Sequence, residues 1–354
     1  MITLVTLPSG SMGRTRMRAF VITGPGVGAV ADVPEPVAEP GQVIVEVDRV
    51  GVCGTDMEFY AGDMAYLHSG DAAFPVRIGH EWCGHVVEAG AEPDASWIGR
   101  RVTGDTMLGC RRCSRCLAGR QHLCEERHEI GVRHGWPGAL AERLTVPTSA
   151  LVALPDEVDS VLGALVEPGG NALRAVRGAS LLPGDCMLVI GAGAIGLLVA
   201  QIAQARGAEV HIVGRSPRSL DFARGLGFAR TTTLDGLDRG HAFRAVVDAS
   251  NSKDSPTLAV NLVDPGGRVV LIGISGEPSL IDSRDLALKD VTAVGVLSAS
   301  GGLEETVGLY ASGAVDPRPL VAATVGLDAT AAILAGERPA DAGAGPKFHI
   351  DPRR

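Results

Sequence analysis

The sequence predicts an α/β protein of two domains, a mostly-β domain followed by a doubly wound parallel-sheet domain. Three observations predict it. The chain has 354 residues, more than a single hydrophobic core usually organises. From Met17 to about Pro155 the chain reads as short valine- and glycine-rich runs such as QVIVEVDRVGVCGTD and ALAERLTVP, which are strand signals broken by turns. From about Ser160 the texture changes to apolar strands alternating with apolar-faced helices, as in LPGDCMLVIGAGAIGLLVAQIAQARGAEVHIVGRS, and that alternation implies a parallel sheet covered on both faces.

Along the chain, MITLVTLPSGSMGRTR lacks the basic start, apolar segment and cleavage site of a signal peptide. Residues 1–16 are expected to be a flexible leader, with the first strand beginning at MRAFVIT. Apolar stretches are interrupted by glycine and too short to span a bilayer, so no membrane role is expected and the cytoplasm is the expected compartment. The net charge of −9 argues against a phosphate-backbone partner, leaving small molecules or proteins.

CRRCSRCLAGRQHLC carries Cys110, Cys113, Cys116 and Cys124 in fifteen positions. In a reducing compartment these are better metal thiolates than disulfides. Two-residue gaps let neighbouring sulfurs converge on one ion and the longer gap closes a tetrahedron, leaving no position open to substrate. This lobe, about residues 108–126, is expected to be a structural zinc clip. An iron–sulfur cluster is the competing reading, but the Cys-Pro ending is missing and the surroundings are rich in arginine.

In the second domain Gly191-Ala192-Gly193-Ala194-Ile195-Gly196 fits G-x-G-x-x-G between the strand CMLVI and a helix, with another strand about twenty residues on. Such a turn places a dinucleotide pyrophosphate at the helix N-terminus. At the end of the next strand, EVHIVGRSPRS has Gly214 where an NAD site usually carries a carboxylate, followed by Arg215, Ser216 and Arg218. Loss of the negative charge and gain of guanidinium groups suit a 2′-phosphate, so NADP(H) is expected over NAD(H). RAVVDAS and GGRVVLIGIS supply further strands, and LEETVGLYASG a helix, before a mixed tail ending in PKFHIDP.

A third group is scattered: Cys53 in GVCGTD, His80 and Glu81 in RIGHEWCGHVVEAG, and Glu167 in LVEPGGNALRAV. One thiolate, one imidazole and one carboxylate make a three-ligand zinc set with an open position. Taken together, GVCGTD, GHEWCGHVVEAG, the cysteine lobe, LVEPGGNALRAV and GAGAIG stand in the order and spacing of the zinc-dependent medium-chain alcohol dehydrogenases. The chain resembles that family from Met17 onward. Glu167-Pro168 is similar to the polyol and threonine dehydrogenase branch, and GHEW with the lobe is similar to the cyclitol (scyllo-inosamine type) dehydrogenases.

The resemblance implies a GroES-like catalytic domain over 17–160 and 300–354, a Rossmann domain over 161–299, and an active site between them. It implies catalytic zinc on Cys53, His80 and Glu167, with Glu81 the alternative third ligand, and Asp56 fixing the His80 tautomer. Thr55 would contact the substrate hydroxyl, and Gly273 and Ile274 would lie beside the nicotinamide. The expected reaction exchanges hydride between a polyol, sugar or cyclitol type secondary alcohol or ketone and the cofactor. A homodimer or homotetramer is expected on the same ground.

Two features depart from the family. Glu58 stands where relatives often carry a relay histidine, and a carboxylate can pass protons. AGDMAYLHSGDAAFPVRIGH is longer than usual; Tyr60, Tyr66 and His68 either shape a polar pocket or face solvent, the latter being expected. Cys83 and Cys186 are expected to be small apolar fillers, and His85, His122, His128, His134 and His241 to be structural or exposed. The alternatives are a zinc-independent reductase of the same superfamily, against which Cys53, His80 and Glu167 stand together, and a non-catalytic zinc-lobe protein binding nucleic acid, against which the acidic balance stands.

Overall fold

The structure is a computed structural model that describes residues 15–238 and 240–354. The leader expected over 1–16 therefore lies outside the described residues up to residue 14, and the first strand already begins at Arg16.

The first domain starts with an antiparallel hairpin, β1 (Arg16–Gly24) and β2 (Val27–Pro34). Then follow β3 (Gln42–Gly51), α1 (Gly54–Ala61), the short α2 (Ala65–Ser69), β4 (Glu81–Ala89) and β5 (Arg101–Gly104). The pair β6 (Met107–Leu108) and β7 (His128–Glu129) brackets the cysteine lobe, which holds the one-turn α3 (Ser114–Leu117). β8 (Arg143–Pro147) and β9 (Leu151–Ala153) complete this part. The alternation in QVIVEV sends Val43, Val45 and Val47 into a core with Phe20, Ile78, Trp82, Leu140 and Leu144.

α4 (Ser160–Ala164) and α5 (Val166–Ala179) lead into the second domain. It contains β10 (Cys186–Ile190), α6 (Ala194–Ala205), β11 (Glu209–Val213), α7 (Pro217–Gly225) and β12 (Thr231–Thr232). β13 (Phe243–Asp248), α8 (Ser255–Leu262), β14 (Val263–Leu271), α9 (Ser283–Leu288) and β15 (Thr292–Gly295) complete the sheet. The six strands run parallel in the order β12-β11-β10-β13-β14-β15, the doubly wound order with its switch point between β10 and β13. Both faces are buried: Met187 and Val189 face the α5–α6 side, whereas Leu188 and Ile190 face α8. That is why CMLVI is apolar throughout rather than alternating.

Past the sheet, α10 (Leu303–Ala311) packs on α5, with Tyr310 donating its hydroxyl to the Leu165 carbonyl at 3.1 Å. The chain then returns to the first domain. β16 (Val321–Gly326) is followed by α11 (Thr330–Leu334) and β17 (Lys347–Asp351), and β17 pairs antiparallel with β3 at His349↔Gly51. The first sheet thus runs β16-β17-β3-β4-β5-β9, with β8 also on β3. Among the described residues no helix is long and apolar enough to cross a membrane.

Candidate active site and metal centres

The turn from β3 into α1 brings Cys53 to the helix start. Cys53 takes an extended conformation at the N-cap, and its backbone N–H donates to Asp56 Oδ2 at 2.9 Å. The other Asp56 oxygen accepts from the Gly79 N–H at 3.2 Å and lies 3.6 Å from His80 Nδ1. One fully buried carboxylate therefore ties the Cys53 turn to the strand entry that carries His80. With Nδ1 turned toward Asp56, Nε2 is the nitrogen left for a ligand. Burial works to lower the His80 pKa, but Asp56 and the Cys53 sulfur outweigh it and hold it well above the usual imidazole value.

The ligand atoms of Cys53, His80 and Glu81 all lie within 4.8 Å of one another, a set able to hold one divalent ion. Glu81 opens β4 opposite Gly51, and a Cβ on Gly51 would meet Glu81 Oε2 at 2.2 Å, so any larger residue there would push the carboxylate aside. Both Glu81 oxygens accept from Lys347 Nζ of β17, which also donates to the Val52 carbonyl at 2.9 Å. Burial would lower the Lys347 pKa, but Glu81, Cys53 and Asp56 raise it. The Glu81 charge thus already has a cation.

Glu167 is not part of that three-residue set. It sits buried in the first turn of α5, where Oε1 accepts from Asn171 Nδ2 at 2.8 Å. Burial pushes its carboxyl up to about 7; His80, Asn171 and Lys347 oppose the rise and Glu81 adds to it. It is a buried carboxyl with no cation on its own oxygens, which fits a site that takes a divalent ion. Thr55 is half-buried in the first turn of α1, and Glu58 is exposed one turn further along it. Burial, and next Asp63, raise the Glu58 pKa.

The four cysteines of the lobe converge, with all four sulfurs within 4.8 Å of one another and no disulfide between them. Arg111 adopts a left-handed φ of 63°, the tight knuckle that lets Cys110 and Cys113 face the same point. Backbone N–H groups of Arg112 and Cys113 lower the Cys110 pKa to about 6, while burial raises Cys116 to about 12. The lobe arginines are spent locally, Arg112 on Glu126 and Arg115 on Glu125. Asp105, just after β5, ties the lobe to the chain that follows β15. Gln121 Nε2 donates to Asp105 Oδ2 at 2.8 Å and Ser300 Oγ to Asp105 Oδ1 at 3.0 Å.

The glycine turn leaves β10 at its carboxyl end. Gly191 has φ 110°, and a Cβ on Gly196 would meet the Gly191 carbonyl at 1.8 Å. Gly193 caps α6 with open space where its Cβ would be, room a pyrophosphate could fill, and Ala194 and Ile195 start the helix. Gly214 is buried, and a Cβ there would come within 3.0 Å of Leu220 and 3.2 Å of Ala192, a tight fit for any larger side chain. Arg215, Ser216 and Arg218 are exposed at the start of α7, where Ser216 Oγ caps the helix by accepting from Ser219 N–H at 3.4 Å. Gly273 approaches Ser250 so closely that a Cβ would meet its carbonyl at 1.8 Å, and Ile274 beside it is largely exposed.

The long segment before His80 is anchored rather than free. Tyr66 donates to Glu129 Oε1 at 3.1 Å and accepts from Arg127 Nη2 at 3.2 Å, and Asp71 accepts from Arg133 at 3.0 Å. Of the three aromatic candidates His68 is exposed, whereas Tyr60 and Tyr66 are half-buried. Two residues escaped the sequence reading: Lys347 and Asn171. A lysine inside the strand KFHID was the available signal for the first; for the second it was the i, i+4 spacing from Glu167.

Comparison with known proteins agrees with this architecture. The family model for the alcohol dehydrogenase GroES-like domain matches residues 39–156, and that for zinc-binding dehydrogenase matches residues 194–312. An L-threonine 3-dehydrogenase of Sinorhizobium fredii is 30% identical over 327 residues, covering 88% of this chain and 93% of the relative. One from Cutibacterium acnes is 32% identical over 296 residues, 79% and 83% of the two chains. A zinc-binding dehydrogenase of Sinorhizobium meliloti, solved bound to NADP, superposes with a TM-score of 0.85 at 28% identity, covering 96% of this chain and all of the other. The chain belongs to the zinc-dependent medium-chain dehydrogenase superfamily, and it is a dehydrogenase.

Proposed function

We propose that the protein oxidises or reduces a secondary hydroxyl–ketone pair on a small polar polyol, sugar or cyclitol, using NADP(H), with zinc held by Cys53, His80 and Glu167. The observation that carries this reading is the buried carboxyl of Glu167, without a cation of its own, beside the converging Cys53 and His80. Glu81, neutralised by Lys347, would stay out of the ligand set and shape the charge around it. A zinc ion bound there supplies electrophilic polarisation of the substrate oxygen.

The remaining roles belong to the chain. Asp56 keeps His80 in the tautomer whose Nε2 faces inward. Thr55 would take the hydroxyl proton, and Glu58, three residues on and so on the same face of α1, would pass it to solvent. The turn at Gly191, Gly193 and Gly196 would cradle the pyrophosphate, and Gly273 and Ile274 would border the nicotinamide. Arg215, Ser216 and Arg218, with no carboxylate at position 214, support a 2′-phosphate. The NADP bound to the Sinorhizobium meliloti relative supports the same choice. The threonine dehydrogenases support a secondary hydroxyl on a polar substrate.

The test is turnover of NADPH and NADH with a panel of ketones, keto-sugars and cyclitol ketones, on wild type and Arg215→Ala/Arg218→Ala. NADPH preference that falls about tenfold or more in the double variant is expected for two lost phosphate contacts. Equal use of both cofactors by the wild type, or an unchanged preference in the variant, would overturn the assignment.

A further inference from the structure

We infer that Cys186, Glu209, His211 and His241 form a third metal site, a zinc-binding staple at the amino ends of the parallel strands. Their four ligand atoms lie within 4.8 Å of one another. A tetrahedral zinc with bonds of about 2.0–2.3 Å separates its ligand atoms by about 3.3–3.8 Å, so closure asks each side chain to move by about 1 Å at most.

The sheet register builds the site. Cys186 and Glu209 are direct partners in the parallel β10–β11 pair, and His211, two residues along β11, stands on the same face as Glu209. His211 Nε2 lies 3.3 Å from Glu209 Oε1. His241 arrives on the bend before β13, its ring 4.5 Å from that of His211, and buried Phe243 backs both imidazoles. Three separate stretches of chain thus meet at one point.

The chemistry of the set selects the ligand. One thiolate and one carboxylate balance a dication, and two imidazoles with a sulfur favour zinc over the oxygen-seeking magnesium or calcium. The site lies away from the glycine turn, which leaves the opposite end of β10 about 16 Å along a five-residue strand. It therefore serves neither the hydride-transfer site nor the cysteine lobe. Its effect is to pin β10, β11 and the approach to β13 together when zinc is plentiful.

Arg230 is the competitor. Its half-exposed guanidinium donates to Glu209 Oε1 at 2.7 Å and lies 3.2 Å from His211 Nε2, and it must swing out as the metal enters. The site is accordingly weaker than the closed four-cysteine lobe and fills from added zinc.

The experiment is equilibrium dialysis of the full chain, carrying its resident metal, against a series of free zinc concentrations, with bound metal counted per chain. Wild type is expected to take up one more zinc than Cys186→Ser or His241→Ala, whose affinity for that ion falls about tenfold or more. Arg230→Met is expected to bind the extra zinc several-fold more tightly, a gain that misfolding cannot mimic. Cobalt(II) in place of added zinc is expected to give a thiolate charge-transfer band that Cys186→Ser lacks. NADPH turnover without added zinc stays at the wild-type level in Cys186→Ser. Equal uptake in wild type and both ligand variants, or no gain in Arg230→Met, would overturn the site and leave an Arg230–Glu209 ion pair only.

Discussion

Lys347→Met isolates the electrostatics of the active-site wall. The lysine and Glu81 are buried to within a few per cent of full occlusion, so neither charge can turn to water when its partner goes. Removing one partner of a buried ion pair leaves the other charge uncompensated, a loss of roughly 3–5 kcal/mol. Methionine fills nearly the same volume, so packing contributes little. Glu81→Gln/Lys347→Met removes the stranded charge and should recover most of the loss. All three tryptophans, Trp82, Trp97 and Trp136, lie in the first domain, so urea unfolding followed by tryptophan fluorescence reports that domain alone. A Lys347→Met protein as stable as wild type at pH 7.5, or a double variant no better than the single, would refute the reasoning.

Other expectations follow from the same structure. His349 is fully buried with neither ring nitrogen partnered, and burial together with Lys347 and Arg49 lowers its pKa to about 3. The unfolded chain takes up this proton from about pH 6.5 downward while the fold does not, so stability is lost as pH falls, by about 2 kcal/mol at pH 5. His349→Leu should flatten the acid limb of a pH–stability curve by that amount, and an unchanged limb would count against the assignment. Gly196→Ala, whose new methyl meets the Gly191 carbonyl, should weaken NADPH binding by about tenfold or more by calorimetry while leaving metal content intact. Zinc affinity measured by competition with a chelator should fall further in Glu167→Gln than in Glu81→Gln; the reverse order would make Glu81 the ligand.

The parts legible in the sequence are those whose geometry is local. CRRCSRC encodes a knuckle, GAGAIG encodes a turn that only glycine can make, and GVCGTD encodes an N-cap that places Cys53 and Asp56 together. The change of texture near Ser160 was legible because strands buried on both faces must be apolar throughout. What escaped depends on register between distant strands. Lys347 meets Glu81 only because β17 returns to β3, and Tyr66 meets Glu129 and Arg127 only because the long segment folds over β7. Cys186 and His241, which read as an apolar filler and a structural or exposed histidine, meet only through β10, β11 and β13. No spacing along the chain announces such encounters.

The most direct test of the central claim is metal retained per chain after exhaustive dialysis, measured with NADPH-linked turnover on wild type and Cys53→Ser. The account predicts about two zinc ions in wild type, one held by Cys110, Cys113, Cys116 and Cys124 and one by the site of Cys53 and His80. It predicts one in the variant, with turnover lost and NADPH still bound. A variant that keeps the wild-type zinc content and turnover would contradict it.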